Sequence, residues 1–293
     1  MTPNTNEISA TLQLRRDGYC IVDNLVPAET IEHLNLDLTP IFARTPFCKG
    51  GFYGERTKRF GRLLRHCDIT HALVQCETIL AIAKSILEPN CDVFQLNFTQ
   101  AIEIHPGAPA QLPHRDQDMW QGKKGDVEYL VNVLWPITPF TRENGATHIW
   151  PNSHGTEATA SAPALSDPVI AEANPGSAIV FLGSTLHGAG ANISDKPRRA
   201  LIVSYALGWL KPYENQWLAY PPDIARYFPP ELAALVGYRQ HRPNLGNFEG
   251  QCPSILLGDS VPPHIGAVDA LRPEQKAMLD EYLRTQPRGV SGK

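Results

Sequence analysis

A chain of 293 residues, 42% hydrophobic and 19% charged, is long enough to bury a sizeable core as one large β-rich domain or two average ones. Its formal net charge of −4 supplies no basic footprint for nucleic acid or an anionic membrane. No apolar run approaches a bilayer span, the first residues lack the apolar centre of a signal peptide, and the six cysteines form no Cys-x-x-Cys pair, which together predict a cytoplasmic protein with reduced thiols that acts on a small molecule.

Residues 7–16 are expected to form a helix with Ile8, Leu12 and Arg15 on one face, stopped by Asp17-Gly18 before the strand-like run Tyr19-Cys20-Ile21-Val22. Pro27 opens a second helix with Ile31, Leu34 and Leu38 on one side, predicted to end before Pro40. Residues 47–65 are rich in glycine and arginine and include Phe52, Tyr53 and Arg59. Such a loop reads either as a flap carrying an anion-binding arginine or as a solvated surface loop. A helical segment over 69–87, broken near Gln75, ends at Glu88-Pro89-Asn90.

Beyond Cys91 the pattern changes to strands: 93–105 alternates, Pro106-Gly107 turns, and 127–137 is a nearly continuous apolar run suited to burial on both faces. Further strands are predicted over 146–150, 177–182 and 200–210. Short strands without long intervening helices point to a sandwich or jelly roll. The Ala/Ser/Pro-rich stretch 155–175 is a flexible lid or a long hairpin connection. After Trp209 the chain is irregular, with a short helix over 230–236 and a final amphipathic helix over 273–284. With no internal repeat or linker, residues 1–293 are expected to form a single domain: a helical preface to about 90, a core to about 210 and a C-terminal extension.

Residues 112–120 read Leu-Pro-His-Arg-Asp-Gln-Asp-Met-Trp. In extended backbone, residues i and i+2 project together, so His114 and Asp116 converge on one point. They supply two-thirds of a 2-His-1-carboxylate facial triad, the ligand set of non-haem Fe(II). Among the ten histidines, His187 has the best context, because it follows the apolar run 178–182 and opens His187-Gly188-Ala189-Gly190-Ala191-Asn192. Those glycines leave room for a cofactor or substrate to approach the backbone. Arg198 begins the next strand, where a guanidinium suits bidentate recognition of a carboxylate, although spacing alone favours a paired surface arginine. His66, His71, His105, His148, His154, His241 and His264 read as structural or exposed.

Pro106-Gly107, Gln111-Leu112-Pro113-His114-Arg115-Asp116-Gln117, Glu143-Asn144-Gly145-Ala146-Thr147, Pro151-Asn152-Ser153-His154 and the block from His187 to Arg198 together resemble the phytanoyl-CoA dioxygenase family of Fe(II)/2-oxoglutarate oxygenases. The resemblance spans roughly residues 10–210. It implies a mainly β fold with flanking helices and a double-stranded β-helix, or jelly-roll, core. It further implies that His114, Asp116 and His187 bind catalytic iron, that Arg198 pairs with the far carboxylate of 2-oxoglutarate, and that Gln111, Thr147 and Arg59 contact this cosubstrate.

The activity so implied consumes O2 and releases succinate and CO2 while oxidising a hydrophobic small molecule, as in family members that tailor natural products. Hydroxylation is the default outcome, with desaturation or rearrangement as variants. Phe52, Tyr53, Trp120 and Trp209 are the candidate substrate contacts, Trp120 foremost. Asn152 stands where the family commonly has glycine, a position asparagine can hold in left-handed backbone. Arg199 adjoins Arg198, and strand alternation lets only one of them face inward; Arg198 is favoured. Asp116 argues against halogenation, which needs a small residue there. Zinc-dependent hydrolysis, acyl-CoA hydroxylation and non-catalytic binding by a jelly roll are the competing readings, and a homodimer stays open.

Overall fold

The computed structural model describes residues 5–123, 125–160 and 167–286, with Thr5 and Asn6 described by their backbone alone. The chain divides into two compact units, Met1–Pro221 and Pro222–Lys293. Among the described residues the first holds nine strands: β1 (Tyr19–Val22), β2 (Thr57–Phe60), β3 (Phe94–Ile104), β4 (Leu130–Pro136), β5 (Thr147–Ile149), β6 (Val169–Ala171), β7 (Ala178–Leu182), β8 (His187–Ala189) and β9 (Arg198–Leu207). Six of them form one sheet in the order β1-β7-β4-β9-β3-β2, and three form a smaller sheet, β6-β5-β8. Every pairing within the two sheets is antiparallel.

The period-2 pattern decides which side chains the sheets share. Phe98, Ile102 and Ile104 of β3, Leu134 of β4, Ile179 and Phe181 of β7 and Ile202 of β9 join Ile149 and Ala171 of the smaller sheet in one apolar cluster. Burying each of the larger side chains contributes about 1.5–3 kcal/mol, so this shared layer is the main source of cohesion. β4 and β7 are buried at every position, which explains their continuous rather than alternating hydrophobicity. The helix α4 (Glu77–Leu87) packs on β4 and β9.

The helical preface differs from its sequence reading in two places. In α1 (Thr5–Asp17) the buried residues are Ala10 and Leu14, four apart, whereas Ile8 and Leu12 are exposed. The short apolar stripe that packs on β1 is therefore offset from the one expected. α2 (Ala28–Arg44) runs through Pro40 instead of ending before it, because the buried row Ile31, Leu34, Leu38 continues to Phe42. A proline inside a helix costs about 3 kcal/mol. Burial of Phe42, about 1.5–3 kcal/mol, together with its edge-on contact with Phe60 at 4.9 Å, offsets most of that cost.

The predicted break near Gln75 separates α3 (Ile69–Val74) from α4 (Glu77–Leu87). The Gly/Arg-rich stretch is not all loop: β2 lies inside it and pairs with β3. In the stretch 155–175, α5 (Gly155–Thr159) precedes β6, which pairs with β5, so the hairpin-connection reading holds; residues 161–166 of that stretch lie outside the described residues. Asn152 has φ 58°, the left-handed conformation expected of it. α6 (Gln216–Ala219) closes the first unit. The second unit carries α7 (Pro222–Ala225), α8 (Pro230–Leu235) and α9 (Pro273–Thr285); in α9 the apolar Met278, Tyr282 and Leu283 are exposed, not buried as an amphipathic face would suggest. Among the described residues no helix is long and apolar enough to cross a membrane.

The glycines after His187 have a role other than the one expected. A Cβ on Gly190 would lie 2.8 Å from the Ala146 carbonyl oxygen and 2.8 Å from His148 Nε2, and one on Gly188 would lie 3.1 Å from the Gln111 carbonyl oxygen. Neighbouring chain, not a ligand, occupies the space that the missing side chains leave. Gly190→Ala is expected to lower stability by about 1–3 kcal/mol, read as a lower urea midpoint at unchanged slope. An unchanged midpoint would show that the smaller sheet relaxes freely at this point.

Candidate metal centre

His114 and His187 face each other across a two-residue bridge. Each backbone N–H donates to the other's carbonyl, at 2.9 and 3.0 Å, which brings the imidazole centroids to 4.5 Å. Arg115 is extended (φ −115°, ψ 125°), so Asp116 returns to the side of His114 as the i, i+2 rule requires. Asp116 does not continue a strand, however; it opens a 3₁₀ turn over Asp116–Met119. Its Oδ1 lies 3.4 Å from His114 Nε2 and its Oδ2 3.6 Å from His187 Nε2. One donor atom from each of the three residues falls within 4.8 Å of the other two.

The donor set is arranged for a cation. His114 Nδ1 lies 2.9 Å from the Leu112 carbonyl oxygen and His187 Nδ1 lies 3.1 Å from that of Thr185. A carbonyl only accepts, so Nδ1 carries a hydrogen in each ring and Nε2 is the nitrogen that faces Asp116. Burial pulls His187 down to about 4, against the opposing charge of Asp116, which keeps it neutral at neutral pH. For Asp116, burial pushes up, but His187, His114 and a hydrogen bond from Asn132 Nδ2 at 2.8 Å outweigh it and leave the carboxyl at about 2. For His114, burial pulls down, but the hydrogen bond and charge of Asp116 outweigh it and raise the imidazole, so a cation bound here would displace a proton from its Nε2. Two imidazole nitrogens and one carboxylate oxygen therefore converge, the donor chemistry of a facial triad. Arg115 faces away and donates to the carbonyls of Ser184, Ser153 and Ala158 at 2.8, 3.0 and 3.2 Å, fixing the His114–Asp116 segment to the chain just before His187.

The three residues line a cavity of about 390 Å³. Arg198, opposite Ile104 in the β9–β3 ladder, and Arg59, opposite Ile102 in the β2–β3 ladder, enter it from one sheet face. Arg198 is 3% exposed, its guanidinium lies 3.9 Å from the Phe140 ring centroid, and its Nε has no acceptor among the described residues. Arg59 donates from Nη1 to Gln100 Oε1 at 3.0 Å, yet its Nε also lacks an acceptor among the described residues. Burial, and then the charge of Arg59, push Arg198 down to about 9, so it stays a cation at neutral pH. Two buried guanidinium groups with spare donors are costly unless an anion joins them, and the geometry suits a carboxylate.

Arg199 answers the question of which arginine faces inward. It lies on the opposite face of β9, donating to Glu103 Oε2 at 2.7 Å, Asn35 Oδ1 at 2.8 Å and Thr39 Oγ1 at 2.7 Å. Gln111 and Thr147 both line the cavity; Gln111 Oε1 accepts from the Ala189 N–H at 3.3 Å and its Nε2 donates to the Phe52 carbonyl at 3.3 Å. Phe52 and Tyr53 line it too, with the Phe52 ring edge-on to His114 at 4.9 Å.

Trp120 and Trp209 are not among the lining residues. Their indole N–H groups donate to the carbonyls of Lys211 and Asn90, each at 2.9 Å, and both rings flank Tyr129 at 6.2 Å. The 3₁₀ turn is the reason, since it aims Asp118 and Met119 at the cavity and carries Trp120 past it. Several lining residues went unread in the sequence, among them Phe98, Gln100, Phe181, Met119 and Tyr213, as did Asn132 beside Asp116. The alternation Phe98, Gln100, Ile102, Ile104 on β3 carried a legible signal for one face. Tyr213, in irregular chain after β9, carried none.

The family pattern described as Phytanoyl-CoA dioxygenase (PhyH) matches residues 14–200. The chain belongs to the phytanoyl-CoA dioxygenase family. Relatives in this family include the multifunctional dioxygenase ausE of Aspergillus calidoustus, 31% identical over 245 residues that cover 77% of this chain and 81% of the relative. The dioxygenase olcK of Penicillium canescens is 29% identical over 245 residues, covering 80% and 81%. Among solved structures, the non-heme alpha ketoglutarate dependent epimerase SnoN from nogalamycin biosynthesis superposes with a TM-score of 0.57 at 17% identity, covering 69% of this chain and 83% of that one. HygX from Streptomyces hygroscopicus, solved with nickel and 2-oxoglutarate bound, gives 0.55 at 11% identity, covering 70% and 89%. The stretch matched to the phytanoyl-CoA dioxygenase family holds every lining residue from Phe52 to Arg198 and leaves out Ile202 and Tyr213.

Proposed function

We propose that this protein is an Fe(II)- and 2-oxoglutarate-dependent dioxygenase that oxidises a hydrophobic small molecule of natural-product type, releasing succinate and CO2. The observation that carries the reading is the convergence of three metal donors beside a buried, anion-seeking Arg198. Membership of the phytanoyl-CoA dioxygenase family supports it, as do the tailoring enzymes of similar fold. The two facing sheets read as a double-stranded β-helix whose open end holds the site, and residues 1–221 as the catalytic unit.

His114 Nε2, His187 Nε2 and an Asp116 oxygen would hold the iron. Iron and 2-oxoglutarate, when bound, supply the power to activate O2 and oxidise an unactivated C–H bond. Arg198 binds and orients the far carboxylate of the cosubstrate, with Arg59, Gln111 and Thr147 as the other polar groups around it. Phe98, Leu134, Phe181 and Ile202 exclude water from that space. A zinc hydrolase would use the same three donors but would leave the Nε groups of Arg198 and Arg59 without an acceptor among the described residues.

Anaerobic addition of Fe(II) and 2-oxoglutarate is expected to produce a metal-to-ligand charge-transfer band. Mass spectrometry of candidate hydrophobic metabolites after aerobic turnover is then expected to show gain of one oxygen or loss of two hydrogens. Absence of both the band and 2-oxoglutarate-dependent succinate sinks the reading, whereas succinate with no oxidised product from any candidate favours a binding protein that has lost turnover. Asn132 provides a further check, since it is the hydrogen-bond donor to Asp116. Asn132→Ala is expected to weaken Fe(II) binding roughly 10- to 100-fold in competition with a chromogenic chelator, and an unchanged affinity removes Asn132 from the site.

A further inference from the structure

The cavity grades from closed to open. Arg198, His187 and Phe181 are buried within it, while Phe52, Tyr53, Asp118, Met119 and Tyr213 are exposed at its mouth. Across that mouth the hydroxyls of Tyr53 and Tyr213 hydrogen-bond to each other.

The two tyrosines are held differently. Tyr213 is anchored: its N–H donates to Asn97 Oδ1 at 2.7 Å, the N–H of Glu214 donates to the Asn97 carbonyl at 3.1 Å, and its ring lies 5.0 Å from that of Phe98. Tyr53 sits in a turn closed by the Gly54 N–H to the Gly50 carbonyl at 3.1 Å, with both glycines at positive φ (92° and 83°). A Cβ on Gly50 or Gly51 would meet nothing within 4 Å, so crowding does not demand glycine there and freedom of the backbone does the explaining. Among the described residues, the hydrogen bonds from Phe52 and Tyr53 outward are the weak one from Gln111 Nε2 to the Phe52 carbonyl and the Tyr53–Tyr213 bond itself. A segment so lightly held opens at low free-energy cost.

We propose that Tyr53 and Tyr213 form a clasp that reads a carbonyl oxygen on the hydrophobic substrate, the Gly50–Gly54 tip swinging out to admit it. This rests on the dioxygenase reading above. Two phenols carry two hydrogens, and their mutual bond uses one of them. Neither oxygen has another partner among the described residues. When a carbonyl oxygen enters, the phenols give up their mutual bond and each donates its hydrogen to one lone pair, so every donor is used.

The surroundings select a neutral acceptor. The charges that act on Tyr213 are of both signs: the Asp116 carboxylate opposes an anion, and the Arg59 guanidinium, 5.1 Å from the Tyr53 ring centroid, repels an ammonium group. Burial, followed by the bond to Tyr53, pushes the Tyr213 phenol up, which keeps it a donor at neutral pH. The Phe52 ring, 5.7 Å from Tyr53 and 4.9 Å from His114, sets the anchored end of the substrate beside the metal donors.

Tyr53→Phe and Tyr213→Phe in the full chain test this, with trans-1-decalone and trans-decalin as probes that differ only in the ketone oxygen. Both variants are expected to keep the charge-transfer band with Fe(II) and 2-oxoglutarate. By equilibrium dialysis the wild type is expected to bind the decalone roughly fivefold to tenfold tighter than decalin, and either variant to lose most of that preference. Amide hydrogen exchange across Gly50–Arg56 is expected to slow on adding decalone to the wild type and not to the variants. No preference in the wild type, or a preference that survives in both variants, overturns the clasp. Absence of the band in the wild type counts against the dioxygenase reading alone, because the dialysis and exchange measurements do not need it.

Discussion

Asp116→Ala is expected to abolish the Fe(II)/2-oxoglutarate charge-transfer band and to reduce turnover roughly 1,000-fold or more. The effect follows from position: Asp116 is the carboxylate between two imidazole Nε2 atoms, so its loss would remove both a proposed ligand and the negative charge that attracts the cation. Since groups that merely support ligands are worth 10- to 100-fold, removal of a ligand itself must exceed that range. Metal-induced stabilisation offers a readout independent of activity. At about 100 times its Kd, Fe(II) should stabilise the wild type by about 2.7 kcal/mol and leave the variant's Tm unmoved. A variant that still shows the wild-type shift would mean that the metal sits elsewhere.

Arg198 and Arg199 make a matched pair of substitutions with opposite expected outcomes. Arg198→Ala is expected to weaken 2-oxoglutarate binding by about 2–4 kcal/mol, roughly 30- to 1,000-fold, while leaving Fe(II) affinity and the urea midpoint close to wild type. Arg198 makes no ion pair among the described residues, so the folded protein loses little without it. Arg199→Ala should do the reverse. It takes one of two partners from Glu103, whose side chain is only 4% exposed and keeps His105 Nε2 at 2.7 Å, and it unties β9 from Asn35 and Thr39 of α2. A loss of about 1–3 kcal/mol in stability with an unchanged cosubstrate affinity is expected, measured by urea unfolding and by titration of the charge-transfer band. If both variants lose cosubstrate affinity equally, the guanidinium of Arg198 is not the anchor.

The residues of the candidate metal centre were legible because local rules place them. His114 and Asp116 need only one extended residue between them, and each histidine takes its Nδ1 partner from the carbonyl two residues upstream. β3, β4, β7 and β9 announced themselves through alternation or unbroken hydrophobicity, since those patterns report which faces lose water. The helix faces were less legible. Pro40 reads as a stop in isolation, and the burial of Phe42 against Phe60 overrides it.

By itself, then, the sequence determined the types and order of the candidate ligands and the main strands around them, all properties with a reach of a few residues. Only the tertiary structure decided that His187 meets His114 across a bridge, that Arg198 and not Arg199 turns inward, and that Trp120 and Trp209 pack around Tyr129 instead of lining the cavity. Asn132 beside Asp116 and Tyr213 opposite Tyr53 belong to the same class, the partners standing 16 and 160 positions apart along the chain. Such contacts depend on sheet order and on where a turn ends, and no spacing rule within one segment encodes either.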